Sequence, residues 1–365
     1  MPGDPLEISR RFLTAAPPGN AAPIRSGHIN DSYAITTSGA AGPDYILQRI
    51  NHSVFRNVEG LMANIAIVLD HLESKIRQGA PGTEGLVPLK IIPCLEGRSC
   101  FRDDEGNYWR MYNFIPGSRS YDMIGNAQLA KEGGRAFGTF QALTAEIDGV
   151  SLVETIPDFH NISTRIAAFR ATVEKDAAGR ASEAREEIRF IEERAAEMHL
   201  IRDLGKEGMI PLRVTHNDTK INNVLFDETG KALCIVDLDT VMPGYSLFDF
   251  GDAIRTGASA AAEDEQDLSK VDIRIDLFSA YAEGYLSATR TFLEPGEIRN
   301  LAFSARFMTF IIGLRFLTDH LDGDHYYRIH FEKHNLVRAR SQFRLVRKME
   351  ERSARMEQII TQFAQ

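Results

Sequence analysis

The chain has 365 residues, 43% hydrophobic and 25% charged, the composition of a globular protein long enough for two or more domains or for two lobes sharing a cleft. A formal net charge of −9 argues against a nucleic-acid partner. No apolar run approaches the roughly 18–20 residues of a membrane span, the start Met1-Pro2-Gly3-Asp4-Pro5 lacks a secretory pattern, and three cysteines without a C-x-x-C pair suit reduced thiols, so the expectation is a cytoplasmic protein with no membrane partner.

In chain order, residues from about 22 to 50 read as strands. Ser32 to Thr36 and Tyr45 to Ile50 flank a turn-rich piece, residues 38–44. Val54, Val58, Leu61, Met62, Ile65, Leu69 and Leu72 then recur at three and four, which predicts a helix within 53–78. Short strands follow around 86–92 and 97–102, a hairpin turn at 103–107, and a strand from Tyr108 to Ile115 that Pro116-Gly117 ends. Beyond Pro116 helical periodicity dominates, over 127–144, 160–203, 268–290, 296–320 and the tail from 331, interrupted by a loop and strand pair over 212–240. The expected fold class is α+β: a small N-terminal lobe of antiparallel sheet over 1–115, then a larger, mainly helical C-terminal lobe over 116–365. Glu183 to Arg194 carry charges at three and four spacing and read as a solvated helix face.

The densest chemistry is Thr215-His216-Asn217-Asp218-Thr219-Lys220-Ile221-Asn222-Asn223, followed by an apolar strand that closes on Asp237-Leu238-Asp239. Phosphoryl transfer from ATP requires a carboxylate to orient the attacking hydroxyl and oxygen ligands for Mg²⁺. Kinase-type sites supply an Asp, an Asn five residues on, and a second Asp after the next strand. Asp218, Asn223 and Asp237 follow that order, with five and nineteen residues counted from Asp218. Asp218 is thus the candidate for aligning the acceptor hydroxyl, and Asn223 and Asp237 are candidate Mg²⁺ ligands. Asp239 is a second candidate ligand or a support. Lys220 reaches the transferring phosphate or points to solvent, and Thr219 is a candidate for the acceptor. His216 reads as a brace of the loop. Asp249-Phe250-Gly251 spells a kinase metal motif but lies thirty-one residues after Asp218 and follows no strand. Asp249 or Asp252 therefore reads as a support of the loop backbone.

In the sheet lobe, Gly27, His28, Ile29 and Asn30 lie in a turn between two strands, where backbone N–H groups can cradle phosphates. A phosphate-binding cation is expected from the third strand: Arg49, with Glu59 on the following helix as partner, or Gln48 presented inward instead, since alternate residues face opposite ways. Residues 111–117 read as a hinge whose backbone, at Asn113 and Ile115, could meet adenine. Arg315 sits in a nearly all-apolar helical stretch, where a charge is costly unless paired. Asp319 at i+4 is one partner; the alternative is that Arg315 grips a substrate oxygen.

These motifs resemble the aminoglycoside-phosphotransferase-like small-molecule kinases, the group that includes choline and homoserine kinases. The narrower resemblance is to N-acetylhexosamine 1-kinases, carried by His-Asn-Asp-Thr-Lys at 216–220 and Asp-Leu-Asp-Thr-Val-Met-Pro-Gly at 237–244. It implies a bilobal protein-kinase-like fold, ATP and Mg²⁺ as cofactors, and phosphorylation of the anomeric hydroxyl of N-acetylglucosamine or N-acetylgalactosamine. Kinases for another hexose, choline, homoserine or an aminoglycoside are the alternatives. A binding-only pseudokinase would be expected to lose one of the three motif residues, and this chain keeps them all.

Overall fold

The computed structural model describes residues 3–24 and 29–365. Its elements begin with α1 (Pro5–Ser9), β1 (Pro18–Ile24), β2 (Asp31–Thr37), β3 (Tyr45–Ile50), α2 (Val58–Arg77), β4 (Ile91–Ile92), β5 (Phe101–Arg102) and β6 (Tyr108–Asn113). There follow α3 (Ala127–Thr144), α4 (Ile162–Lys175), α5 (Arg185–Arg194) and α6 (Leu200–Lys206). Three short strands, β7 (Arg213–Thr215), β8 (Val224–Phe226) and β9 (Ala232–Ile235), precede β10 (Met242–Gly244). The chain ends in α7 (Ser246–Gly257), α8 (Ile275–Thr289), α9 (Pro295–Arg299), α10 (Leu301–Asp322), α11 (His334–Glu351) and α12 (Ser353–Ala364). The fold is α+β, with an antiparallel sheet early and helices after it.

Two compact units emerge. The first comprises 1–120, 143–157 and 224–243. Its sheet runs β1-β2-β3-β6-β4, with β5 also on β6, and its pairings are antiparallel. One face buries Ile35, Leu47, Trp109 and Met111 with Phe12 and Cys94. The apolar stripe expected over 53–78 forms α2, and Asn57 caps it by accepting from the Gly60 N–H. Distant segments join this unit through backbone bonds. Val87 N–H donates to Leu233 O at 2.8 Å, and Arg119 and Phe226 exchange a pair of 2.8 Å bonds, which straps the β8–β9 hairpin on. The buried Asn64 amide donates to the carbonyls of Val153 and Val241.

The second unit comprises 121–142, 158–223 and 244–365. Its central helix is α10, which, contrary to the expectation that no stretch approaches a membrane span, is long and apolar enough to cross one by length and composition; 72% of its most apolar window is instead buried inside the protein. Gly251 on α7 permits close approach to α10: a Cβ there would stand 2.3 Å from Ser304 O. The helix expected over 160–203 is broken into α4, α5 and α6, because Asp176 at φ 39° and Gly179 at φ 68° end α4 in left-handed conformations. The charged face is not wholly solvated either, since Glu187 is buried and pairs with Arg340.

Candidate active site

The first unit carries the D-x-D turn. β8 and β9 form an antiparallel hairpin, and the chain leaves β9 into a tight turn at Asp237 to Thr240. Asp237 adopts φ 61°, ψ 56°, a left-handed conformation unfavourable to most residues but tolerated by Asp. Asp239 is 3% exposed. Its Oδ2 accepts from Asn30 Nδ2 at 2.5 Å, and its Oδ1 meets the Arg110 guanidinium as an ion pair without hydrogen-bond alignment.

Antiparallel register explains how Arg110 reaches this place. β3 opposes β6 with Gln48 across from Arg110 and Arg49 across from Trp109. Gln48 therefore shares a face with Arg110, accepting from its Nε at 3.0 Å and donating to Ser32 Oγ at 2.9 Å. Arg49 points the other way, and its Nε donates to Asp31 at 2.8 Å. The expected Arg49–Glu59 pair is thus replaced by Arg49–Asp31, because Asp31 is the direct cross-strand neighbour on β2. Glu59 is exposed in the first turn of α2. Gly27 and His28 lie outside the described residues; Ile29 is 48% exposed, and Asn30 binds both Asp239 and the Asn51 N–H. At the expected hinge the Asn113 side chain is committed to the Lys90 N–H and the Pro88 carbonyl. Ile115 is buried, with its carbonyl accepting from Ser118.

The second unit carries the H-x-D loop, which follows β7. Asn217 takes φ 63°, so the chain doubles back before Asp218. Asp249, buried on α7, accepts from His216 N–H at 2.8 Å, Asn217 N–H at 2.7 Å and Gln141 Nε2 at 2.6 Å. Burial pushes the Asp249 carboxyl above its ordinary range, against these donors. Asp252 accepts from Thr219 N–H at 3.1 Å and pairs with Arg255. Both acidic residues expected to support the loop are therefore bonded to its backbone, and Phe250 and Gly251 of the look-alike motif are packing residues on α7. His216 is fully buried between the ring edges of Phe137 and Phe140, with centroids at 5.5 and 5.9 Å. Its Nδ1 accepts from Asp218 N–H at 3.3 Å, which makes it a brace.

Asp218 itself is partly open. Lys220 Nζ stands 2.8 Å from its Oδ1, and Asn223 Nδ2 donates to its carbonyl at 2.8 Å. Burial alone would raise the Asp218 pKa, but Lys220, His216 and Arg255 outweigh it and hold the carboxyl below its usual range. Asp218 in turn holds Lys220 above its usual value. Asn223 spends its N–H on Asp218, which leaves its amide oxygen as the atom suited to a cation. Thr219, expected near the acceptor, is instead 1% exposed, and its hydroxyl donates to Asp249 O at 2.6 Å. It belongs to the support of the loop.

Arg315 on α10 does not pair with Asp319. That carboxylate accepts from the backbone N–H groups of Tyr326 and Tyr327, at 2.7 and 2.9 Å, and from Asn335. The Arg315 guanidinium lies over the Phe159 ring at 5.0 Å, with Tyr327 at 5.7 Å and Tyr326 at 5.9 Å. Arg165 is beside it, its pKa pushed down by burial and then by Arg315. Among the described residues neither arginine has an ion-pair partner. His160, 8% exposed, is pushed down to about 3 by burial and then by Arg315, while the Asn217 backbone favours its proton. Nothing in the local sequence pattern marks Arg165 and His160, because the residue that meets them, Arg315 on α10, lies about 150 positions later in the chain.

Among the described residues no group of three acidic, histidine or cysteine side chains is gathered for a metal. A nucleotide-borne Mg²⁺ needs fewer, since phosphate oxygens and waters complete its shell.

Comparison with known proteins places the chain. An aminoglycoside phosphotransferase from Alicyclobacillus acidocaldarius superposes with a TM-score of 0.61 at 12% identity, covering 99% of this chain and 98% of that one. The amicoumacin kinase hAmiN, solved with AMP-PNP, Ca²⁺ and Ami, gives 0.58 at 14% identity over 93% and 92%. A microcompartment-associated aminopropanol kinase gives 0.58 at 13% over 96% and 97%. These likenesses show a kinase-like fold. Residues 20–285 match the APH family of phosphotransferase enzymes, and the chain belongs to that family.

Proposed function

We propose that the chain is an ATP-dependent small-molecule kinase that phosphorylates the anomeric hydroxyl of an N-acetylhexosamine, giving the sugar 1-phosphate. The observation that carries the kinase reading is the H-x-D loop: a partly open, ionised Asp218 on a backbone pinned by Asp249, with Lys220 and Asn223 bonded to it. Family membership supports it, as does the AMP-PNP that the related amicoumacin kinase binds. Residues 1–115 would serve the nucleotide, and 116–365 the acceptor and the catalytic loop.

In this reading Asp218 accepts a hydrogen bond from the acceptor hydroxyl and aligns it for in-line attack. Lys220 keeps Asp218 ionised and offers a positive charge to the transferring phosphoryl group. Asn223 and Asp237, the two ligands expected from the motif spacing, each offer an oxygen of the hard kind that Mg²⁺ takes. When bound, Mg²⁺ neutralises charge on the phosphates.

The acceptor class is supported by Arg165 and Arg315. Two guanidiniums that form no ion pair among the described residues, with Asp158 acting on Arg165 only at longer range, favour oxygen acceptors such as hydroxyls and an acetamido carbonyl, and they repel ammonium groups. That counts against choline or an aminoglycoside as substrate. A sugar bearing a carboxylate is the second reading, favoured by the same two cations. An ADP-release screen separates these: N-acetylglucosamine, N-acetylgalactosamine, galactose, glucuronic acid, choline, homoserine and an aminoglycoside. Turnover with the N-acetylhexosamines above all others is expected; turnover confined to the amines would retire the sugar assignment.

A further inference from the structure

By position in the D-x-D turn, Asp239 is a natural second metal ligand. Its surroundings argue otherwise. Both carboxylate oxygens are already taken, one by Asn30 and the other by Arg110. The Arg110 side chain is 1% exposed, so this guanidinium is internal and not presented to a ligand. A divalent cation on Asp239 would have to displace that charge or sit beside it, in a site with little water to screen the repulsion.

The pair sits at the centre of a longer chain of bonds. Arg110 belongs to β6 and is held by Gln48 of β3, which in turn holds Ser32 of β2. Asn30, just before β2, binds Asp239 with its amide nitrogen and the Asn51 N–H with its amide oxygen. Asp239 is thereby tied to three neighbouring strands and to Asn30, the residue just before β2. The residue two places before it, Asp237, has a left-handed backbone that the surroundings must hold. A buried charge pair is a poor source of net stability, whereas the hydrogen bonds that Asn30 gives Asp239 and Gln48 accepts from Arg110 are directional and suited to fixing one geometry around it.

We propose that Asp239 and Arg110 form an internal clamp that positions Asp237, and that Asp239 is not a metal ligand. The proposal rests on the kinase reading. It also names a task for Asn30: coupling the start of β2 and the end of β3, at Asn51, to the loop that carries Asp237. Arg110, on β6 opposite the inward-facing Gln48 of β3, is then a positioning residue.

The test uses the full chain and four variants: Asp239→Asn, Arg110→Lys, Arg110→Met and the double variant Arg110→Met/Asp239→Leu. Mg²⁺ dependence of AMP-PNP binding is measured by calorimetry, kcat and KM for ATP by coupled assay, and folding by thermal melting. For Asp239→Asn the expected half-saturating Mg²⁺ changes by less than about threefold, while kcat falls by at least about tenfold. Arg110→Met should behave alike, and Arg110→Lys should recover part of kcat. The double apolar variant should melt near the unaltered chain yet remain low in kcat, because apolar packing restores the core but not the position of Asp237. Two results would overturn the clamp: a tenfold or greater rise in half-saturating Mg²⁺ with kcat regained at high Mg²⁺, or kcat fully restored in the double variant. Failure of the unaltered chain to bind AMP-PNP would overturn the kinase reading itself, and the clamp with it.

Discussion

Replacing Asp249 by Ala removes the one carboxylate that collects the His216 and Asn217 N–H groups. Both donors belong to fully or nearly fully buried residues, so solvent does not readily take over. Leaving a buried donor unsatisfied costs about 1–3 kcal/mol, which gives about 2–6 kcal/mol for the two backbone donors; the Gln141 amide loses this acceptor too but keeps its bond to the Val214 carbonyl. Part of this returns, because burial already disfavours the Asp249 charge and the variant no longer bears that penalty. A net loss of about 3 kcal/mol is expected, a large fraction of the ~5–15 kcal/mol typical of a folded protein but short of abolishing the fold. Asp249→Asn keeps one acceptor oxygen and turns the other into a donor facing a donor, so it should recover at most half of the loss. Urea denaturation followed by far-UV circular dichroism measures the stability term. In the folded fraction kcat should also fall, since the same bonds set the path of the chain into Asp218, whereas half-saturating Mg²⁺ should not move. A stability change under about 1 kcal/mol would refute the reasoning. So would loss of Mg²⁺ dependence in Asp249→Ala while Asp237→Ala retains it.

Other outcomes follow from the same geometry. Asp218→Asn should keep the fold and nucleotide binding while kcat drops by roughly 10²-fold or more, read by steady-state kinetics and melting together. Arg315→Ala should raise KM for the sugar more than KM for ATP, and Arg165→Met should act in the same direction, as paired acceptor and nucleotide titrations would show. His160 supplies a pH test. Its folded pKa of about 3 lies below the ordinary 6.5, so as pH falls below 6.5 the unfolded chain gains a proton that the folded ring refuses. Between pH 7 and 5 that linkage removes on the order of 2 kcal/mol of stability. His160→Gln should flatten this limb of the stability–pH curve, and an unchanged slope would show that the ring is not held neutral.

Much of this architecture was legible in the chain because it is local. The stripe from Val58 to Leu72 needs only a period near 3.6 to predict α2, and alternation with turn residues marks β2 and β3. The H-x-D loop and the D-x-D turn are read from spacing alone, and the look-alike motif at Asp249 was separable by its distance from Asp218. What escaped depends on register and on contacts between remote segments. Alternation along β3 leaves open whether Gln48 or Arg49 faces a given side; the pairing of Gln48 with Arg110 across β6 decides it. The partner of Arg315 could be guessed as Asp319 from helical spacing, but a backbone turn at Tyr326 and Tyr327 captures that carboxylate first. Arg165 lies on another helix, about 150 residues earlier in the chain. No periodicity carries such information.

The most direct test of the account is the position of the phosphate on the product. The chain, incubated with ATP, Mg²⁺ and N-acetylglucosamine or N-acetylgalactosamine, is followed by phosphorus NMR. The account predicts a sugar 1-phosphate, its phosphorus coupled to the anomeric proton, with no transfer to the 1-deoxy analogue and loss of the signal in Asp218→Asn. A phosphate on the 6-oxygen, or no transfer to either sugar under conditions where an amino alcohol is phosphorylated, would contradict it.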